Sequence, residues 1–178
     1  MMCSPAAVYD IIEMYKEVGL GETISEYLGE RPVLLTERIR LTRQRGGAGL
    51  PWHQDAAFYG GVFHAVNVWL AISTCGADAP GLNVIPRRFD DVCGIEAGEC
   101  FPLPLTYGER FTAELVREIA DGHPVSNPDF RPGDALLFDE LTMHRTSQCD
   151  WKLPYRDSAV TWFLSPSRVP AAVTPLAF

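Results

Sequence analysis

The chain has no run of about eighteen apolar residues, so nothing in it reads as a membrane span. Positive charge is the scarcer sign. Lys and Arg total 15 against 23 Asp and Glu, a formal net charge of −8. An acidic protein lacks the basic stripe that nucleic acid requires, and no nucleic-acid partner is expected. Cysteines are few and odd in number: Cys3, Cys75, Cys93, Cys100 and Cys149, none in a C-x-x-C pair. That spacing gives no support to a cysteine-ligated zinc site, and free thiols in a reducing, cytoplasmic setting are expected. No charged segment followed by an apolar core opens the sequence, so no secretory leader is expected. No internal repeat is visible. What is present is a globular composition, 47% hydrophobic and 21% charged, over 178 residues. One domain spanning 1–178, with its own core, is the expected organisation.

The first chemistry lies in Pro51-Trp52-His53-Gln54-Asp55. On an extended strand residues i and i+2 share a face, so His53 and Asp55 would project together, about 7 Å apart along the backbone. Alone, such a pair reads equally as a surface pair or a turn. His144 supplies a third candidate ligand. Two His and one carboxylate leave one face of a metal open, the arrangement of non-haem Fe(II) oxygenases. Arg156 stands twelve residues after His144. Its guanidinium is a permanently charged fork, suited to the far carboxylate of a metal-bound diacid. His64 lies near the first pair and is read as a structural histidine. Two other classes stay open: a cupin-like metal isomerase or hydrolase without a diacid, and a non-catalytic binding module with a relic site. Arg156 discriminates against the former, which does not need it.

Helical spacing of Val8, Ile11, Ile12, Tyr15 and Val18 after Ser4-Pro5, then of Ile24, Tyr27 and Leu28, makes residues 1–30 a helical segment. A strand is expected from Val33 to Thr42, and Gly46-Gly47-Ala48-Gly49 reads as a turn into the metal-binding stretch. Phe58 to Gly61 reads as a loop over the metal. From His64 to Ser73, Val66, Val68, Leu70 and Ile72 form one face; Asn67, Trp69 and Ala71 form the other. Leu82 to Pro86 is the next strand. Residues 90–122 read as an inserted loop and helix, the helix carrying Phe111, Leu115 and Ile119. Arg131 to Asp134 is a turn, Ala135 to Phe138 a buried strand, and Met143 to Gln148 the strand bearing His144. Tyr155 to Ser165 alternates, placing Arg156 and Ser158 on one face, consistent with both holding one carboxylate. The tail from Pro166 is expected to be irregular. Arg38, Arg40, Arg43, Arg45, Arg87 and Arg88 are either paired surface charges or the mouth of a cleft for a small anionic substrate.

Four blocks then carry a resemblance: Trp52-His53-Gln54-Asp55, Val66 to Ile72, Arg131-Pro132-Gly133-Asp134 through Phe138, and His144-Arg145-Thr146 through Arg156-Asp157-Ser158. In that order they resemble the phytanoyl-CoA dioxygenase-like branch of the Fe(II)/2-oxoglutarate-dependent oxygenases. The resemblance implies a mainly β fold, a double-stranded β-helix of jelly-roll, cupin-like type. It implies Fe(II) on His53, Asp55 and His144 as the catalytic centre. It implies 2-oxoglutarate held by Arg156 with Ser158 and Thr146, against Trp69 as a pocket wall, with Asn67 a further candidate contact. With O2, the implied reaction hydroxylates a small molecule and converts 2-oxoglutarate to succinate and CO2. Related halogenases have a small residue where this chain has Asp55, which favours hydroxylation. The family usually continues Pro-Gly-Ser-His where this chain has Pro86-Arg87-Arg88-Phe89, a departure in the expected substrate pocket. The family is usually longer at the N-terminus, and a monomer or a homodimer that completes the barrel are both compatible with that.

Overall fold

A computed structural model describes residues 5–45, 49–59, 63–94, 108–148, 151–171 and 173–178. Helices α1 (Pro5–Glu17) and α2 (Leu20–Leu28) come first. Strands β1 (Val33–Leu35), β2 (Arg40–Gln44), β3 (Ala65–Ala71) and β4 (Leu82–Val84) follow, then helix α3 (Ala113–Ala120). The chain ends with β5 (Ala135–Asp139), β6 (His144–Thr146), β7 (Arg156–Leu164) and β8 (Pro175–Ala177). The larger antiparallel sheet runs β5-β3-β7-β1-β8, with β2 also on β7; β4 and β6 form a second, small sheet. The architecture is a mainly β jelly roll, two sheets facing each other with helices packed outside.

Strand alternation sorts the side chains into two layers. Val66, Val68 and Leu70 of β3 and Ala159 and Phe163 of β7 turn outward against Ile11, Ile12 and Tyr15 of α1 and Ile24 and Leu28 of α2. Tyr15 Oη also meets Thr161 Oγ1 at 3.3 Å across this contact. Burying one such large side chain stabilises the fold by about 1.5–3 kcal/mol, so this layer anchors the helices. The opposite face of the same strands turns inward and builds the functional cavity. A second apolar cluster packs Trp52 and Met143 against Ile85, Phe89, Phe111 and Val116, behind the metal-binding stretch. Thr112 caps α3 by accepting from Leu115 N at 3.2 Å, so Phe111 precedes the helix and packs in that cluster.

Several expectations are corrected. The strand from Val33 to Thr42 is interrupted by a 3-10 turn, Thr36–Arg38, and β2 runs on to Gln44. Both pieces pair with the single long strand β7: Val33 with Leu164, Arg40 with Val160, and Gln44 with Arg156. The tail is not irregular throughout. Its β8 pairs with the other side of β1, and Phe178 packs edge-on against Phe163, ring centroids 4.8 Å apart. The open edge of β1 and an apolar end residue supply the reason. Strand β5 is an edge strand and mostly not buried; Phe138 alone is fully covered. Val18 points to solvent at 69% exposure, past the last turn of α1. The turn before β5 is as expected, with Gly133 at φ 96°, a left-handed conformation a side chain would strain.

Residues 95–107 of the expected insertion lie outside the described residues, as do Ser4, Gly46 to Ala48, Gly60, Gly61, Cys3, Cys100 and Cys149. Cys75 and Cys93 are free thiols. Among the described residues, no helix is long and apolar enough to cross a membrane.

Candidate metal centre and adjoining cavity

His53, Asp55 and His144 converge. One ligand atom from each lies within 4.8 Å of the other two, and all three side chains are buried. Asp55 Oδ1 is 3.8 Å from His53 Nε2 and 3.9 Å from His144 Nε2. The convergence does not arise from a regular strand. His53 forms an isolated antiparallel bridge with His144, and Asp55 opens a 3-10 helix, Asp55–Tyr59. The backbones of the two histidines are bonded to each other: His53 N donates to His144 O at 2.9 Å, and His144 N to His53 O at 3.0 Å. The helical turn then folds Asp55 back towards them. Ala56 N, bonded to Glu140 O at 2.9 Å, fixes that turn.

Each ligand is oriented by a second partner. His53 Nδ1 donates to Pro51 O at 2.7 Å and His144 Nδ1 to Thr142 O at 2.9 Å. With the Nδ1 proton so placed, both Nε2 lone pairs face the centre. Burial pushes both imidazoles down to about 4, so each is neutral near pH 7. Burial pushes the Asp55 carboxyl up. Three electron-rich atoms aimed at one buried point form a site that a cation stabilises. The donor set, two imidazole nitrogens and one carboxylate, fits Fe(II) with an open face.

Asn67, a candidate contact of the co-substrate, donates Nδ2 to Asp55 Oδ2 at 2.9 Å. Its Oδ1 is buried without a hydrogen-bond partner. Phe58, expected in a loop over the metal, is part of the 3-10 helix and packs on His53, ring centroids 5.6 Å apart. Phe138 packs on His144 at 4.5 Å. His64 is outside the centre and pairs with Glu140 at 3.1 Å.

The triad opens into a cavity of about 650 Å³ between the two sheets. Its floor follows the inward rungs of β2 and β7: Arg40 with Val160, Thr42 with Ser158, Gln44 with Arg156. Arg156 is 5% exposed and its guanidinium carbon lies 5.4 Å from the Trp69 ring centroid. Its Nη2 donates to Gln44 Oε1, while Nε is buried with no partner. Among the described residues no carboxylate lies within ion-pair distance of Arg156. A buried cation with an idle donor calls for an anion, and a diacid bound at the triad brings one. Ser158 is buried beside it. Thr146 Oγ1 accepts from Leu50 N at 3.0 Å. A Cβ on Gly49 would collide with the Thr146 side chain, which explains the glycine at this close approach.

The basic residues divide. Arg38 and Arg40 line the cavity. Arg43 leaves it, bonded twice to Asp157 at 2.7 and 2.8 Å. Arg87 and Arg88, read as either paired surface charges or the substrate mouth, lie outside this cavity. Arg87 donates to Ile119 O at 2.8 Å, and Arg88 to Tyr27 Oη at 3.0 Å, because the chain after β4 turns towards α3 and α2. Gln44 lies beyond Thr42, where the expected strand ends; continued alternation of Arg40, Thr42 and Gln44 is the signal that finds it.

The fold resembles that of EctD from S. alaskensis with bound Fe (22% identity, TM-score 0.59, covering 79% of this chain and 47% of that one). It resembles the epimerase SnoN in complex with Fe3+, alpha ketoglutarate and nogalamycin RO (13%, 0.58, 82% and 55%). It also resembles AviO1 from Streptomyces viridochromogenes Tue57 (17%, 0.57, 85% and 59%). The chain thus spans about half the length of these structures. No curated protein sequence matches it significantly. The family model described as Phytanoyl-CoA dioxygenase (PhyH) matches residues 20–149, which contain the whole triad and most of both sheets. By that match, this chain belongs to the phytanoyl-CoA dioxygenase family.

Proposed function

We propose that this protein is an Fe(II)- and 2-oxoglutarate-dependent oxygenase that hydroxylates a small molecule. The observation that carries the reading is the pairing of two groups in one cavity: a buried His-Asp-His donor set suited to a cation, and a buried Arg156 with no carboxylate within ion-pair distance among the described residues. Fe(II) answers the first and the far carboxylate of 2-oxoglutarate the second. A metal isomerase or hydrolase would leave Arg156 unexplained.

His53, Asp55 and His144 would hold the metal, their orientation set by Pro51 O, Thr142 O and Asn67. When bound, Fe(II) with 2-oxoglutarate and O2 supplies the oxidising chemistry: 2-oxoglutarate becomes succinate and CO2, and the second oxygen atom goes to the substrate as a hydroxyl. The protein binds, orients and excludes water. Arg156 fixes the co-substrate carboxylate, with Ser158 beside it and Trp69 beneath. Phe58, Phe138 and Trp162 keep the wall by the triad apolar, which strengthens the electrostatics inside and limits side reactions. Asp55 completes the ligand set, which favours hydroxylation over halogenation.

The test is turnover of 2-oxoglutarate. Purified protein with Fe(II), ascorbate and O2 should release succinate slowly alone and faster with a productive small molecule. Absence of succinate under all conditions, with metal bound, would remove the oxygenase reading in favour of a binding module.

A further inference from the structure

We infer that the substrate is an organic anion, its carboxylate or phosphate held by Arg38 and its reacting carbon lying between Arg38 and the metal triad. This rests on the oxygenase reading above. The cavity has two cationic ends. Arg156 marks one, on the Gln44 rung of β7. Arg38 marks the other: its guanidinium lies over Trp162, whereas that of Arg156 lies by Trp69, the register partner of Val160. The triad stands nearer the Arg38 end, because Asn67, which holds Asp55, is the register partner of Trp162. A co-substrate reaching from the triad to Arg156 leaves the Arg38 end to the second reactant.

Arg38 is held there without being neutralised. The 3-10 turn that interrupts the β1–β2 line carries it, and its guanidinium carbon lies 4.7 Å from the Trp162 centroid, 5.6 Å from Tyr59 and 5.7 Å from Phe58. Its Nε donates to Tyr59 Oη at 3.3 Å. Aromatic faces attract a cation but do not cancel its charge. The neighbouring acid, Glu37, is exposed and accepts from Tyr59 Oη at 3.1 Å. By contrast, Arg43, Arg87 and Arg88 each have a carboxylate within 4.0 Å: Asp157, Asp121 and Asp139. Among the described residues none stands so close to Arg38.

The charge balance points the same way. The cavity lining carries three arginines, Arg38, Arg40 and Arg156, against one carboxylate, Asp55. Fe(II) and the 2-oxoglutarate dianion cancel each other, so loading leaves that positive excess in place. A chain of net charge −8 that gathers arginines around one cavity is suited to receive negative charge there. A guanidinium fixed on aromatic rings presents its fork to a carboxylate or phosphate with little ordering left to pay.

The experiment is anaerobic calorimetry on Zn(II)-loaded protein. 2-Oxoglutarate is titrated first and held at saturation, so that Arg156 is occupied. Phenylacetate, phenyl phosphate and the neutral phenylacetamide are then titrated separately. The expected result is that at least one anion binds about tenfold or more tightly than the amide. Arg38→Gln should abolish that preference, Arg38→Lys should keep part of it, and neither should move the 2-oxoglutarate affinity. The better of the two anions identifies the charged group. Equal binding of anions and amide by wild type, no binding by any of the three, or an anion preference that survives Arg38→Gln would overturn the proposal. Should Arg38→Gln fail to fold, the anion–amide comparison in wild type and the Arg38→Lys variant still decide. Absence of a 2-oxoglutarate heat in the first titration would instead overturn the oxygenase reading, and is seen before any anion is added.

Discussion

Asn67 donates its Nδ2 proton to Asp55 Oδ2 at 2.9 Å, leaving Oδ1 as the carboxylate oxygen that faces both histidines. The donor sits on β3 and the acceptor opens a 3-10 turn, so the sheet itself aims the ligand. Asn67→Ala should weaken metal affinity by roughly 10- to 100-fold, the usual effect of losing a ligand's orienting partner. Calorimetric titration of Co(II) into wild type and variant checks this. An unchanged affinity would mean that Asp55 is aimed by its backbone alone.

The ligand set predicts a 1:1 metal stoichiometry that His53→Ala or His144→Ala abolishes. His64→Ala should leave binding intact, since His64 is engaged with Glu140 at 3.1 Å and stands apart from the triad. Chelation should lower the melting temperature of wild type and not of the two triad variants, because a ligand specific for the native state stabilises it. Metal binding lost in His64→Ala and kept in the others would show the set to be wrong.

Arg156 should govern co-substrate binding. At a 2-oxoglutarate concentration 100 times Kd, the native state gains about 2.7 kcal/mol. Thermal shift with metal present should show that gain in wild type and lose most of it in Arg156→Ala. Gln44→Ala frees the guanidinium from its one side-chain acceptor and should weaken binding less. A shift of full size in Arg156→Ala would place the carboxylate elsewhere in the cavity, with Arg38 and Arg40 the remaining cations.

The Arg43–Asp157 pair ties β2 to β7 one residue from the Gln44–Arg156 rung. The Arg43 hydrogen bond holds the Asp157 carboxyl below its ordinary value of 3.8. A depressed carboxyl stabilises the fold fully above the unfolded value and loses that contribution as pH falls through the folded value. The difference in melting temperature between wild type and Asp157→Asn should therefore be present at pH 7 and shrink below pH 3.8. A difference constant across that range would show that the pair contributes packing and not charge.

How much of this was written plainly in the residues depends on range. The alternation of Val66, Val68 and Leu70 against Asn67 and Trp69 is local, and the sheet follows it. His53, Asp55, His144 and Arg156 stand out in the sequence because few side chains do that chemistry. What escaped was set by distant partners. The 3-10 turn at Thr36–Arg38 exists where β1 passes to β2 along one β7 strand, a registration that no local pattern encodes. The tail strand forms because β1 offers it an edge. Arg87 and Arg88 follow the route of the chain towards α3 and α2, and their charge alone gave no direction.

The backbone bridge between His53 and His144 has a further consequence. Two ligands 91 residues apart in sequence are joined through their backbones into a single hydrogen-bonded unit, so the entropy of gathering them is met by the fold. Most of the cavity walls, by contrast, are side chains on strands of the larger sheet, such as Arg40, Thr42, Val160 and Trp162. Apart from Asn67, which aims Asp55, lining side chains on β2 and β7 can be rewritten for a new guest while the backbone bridge of the two histidines keeps its shape.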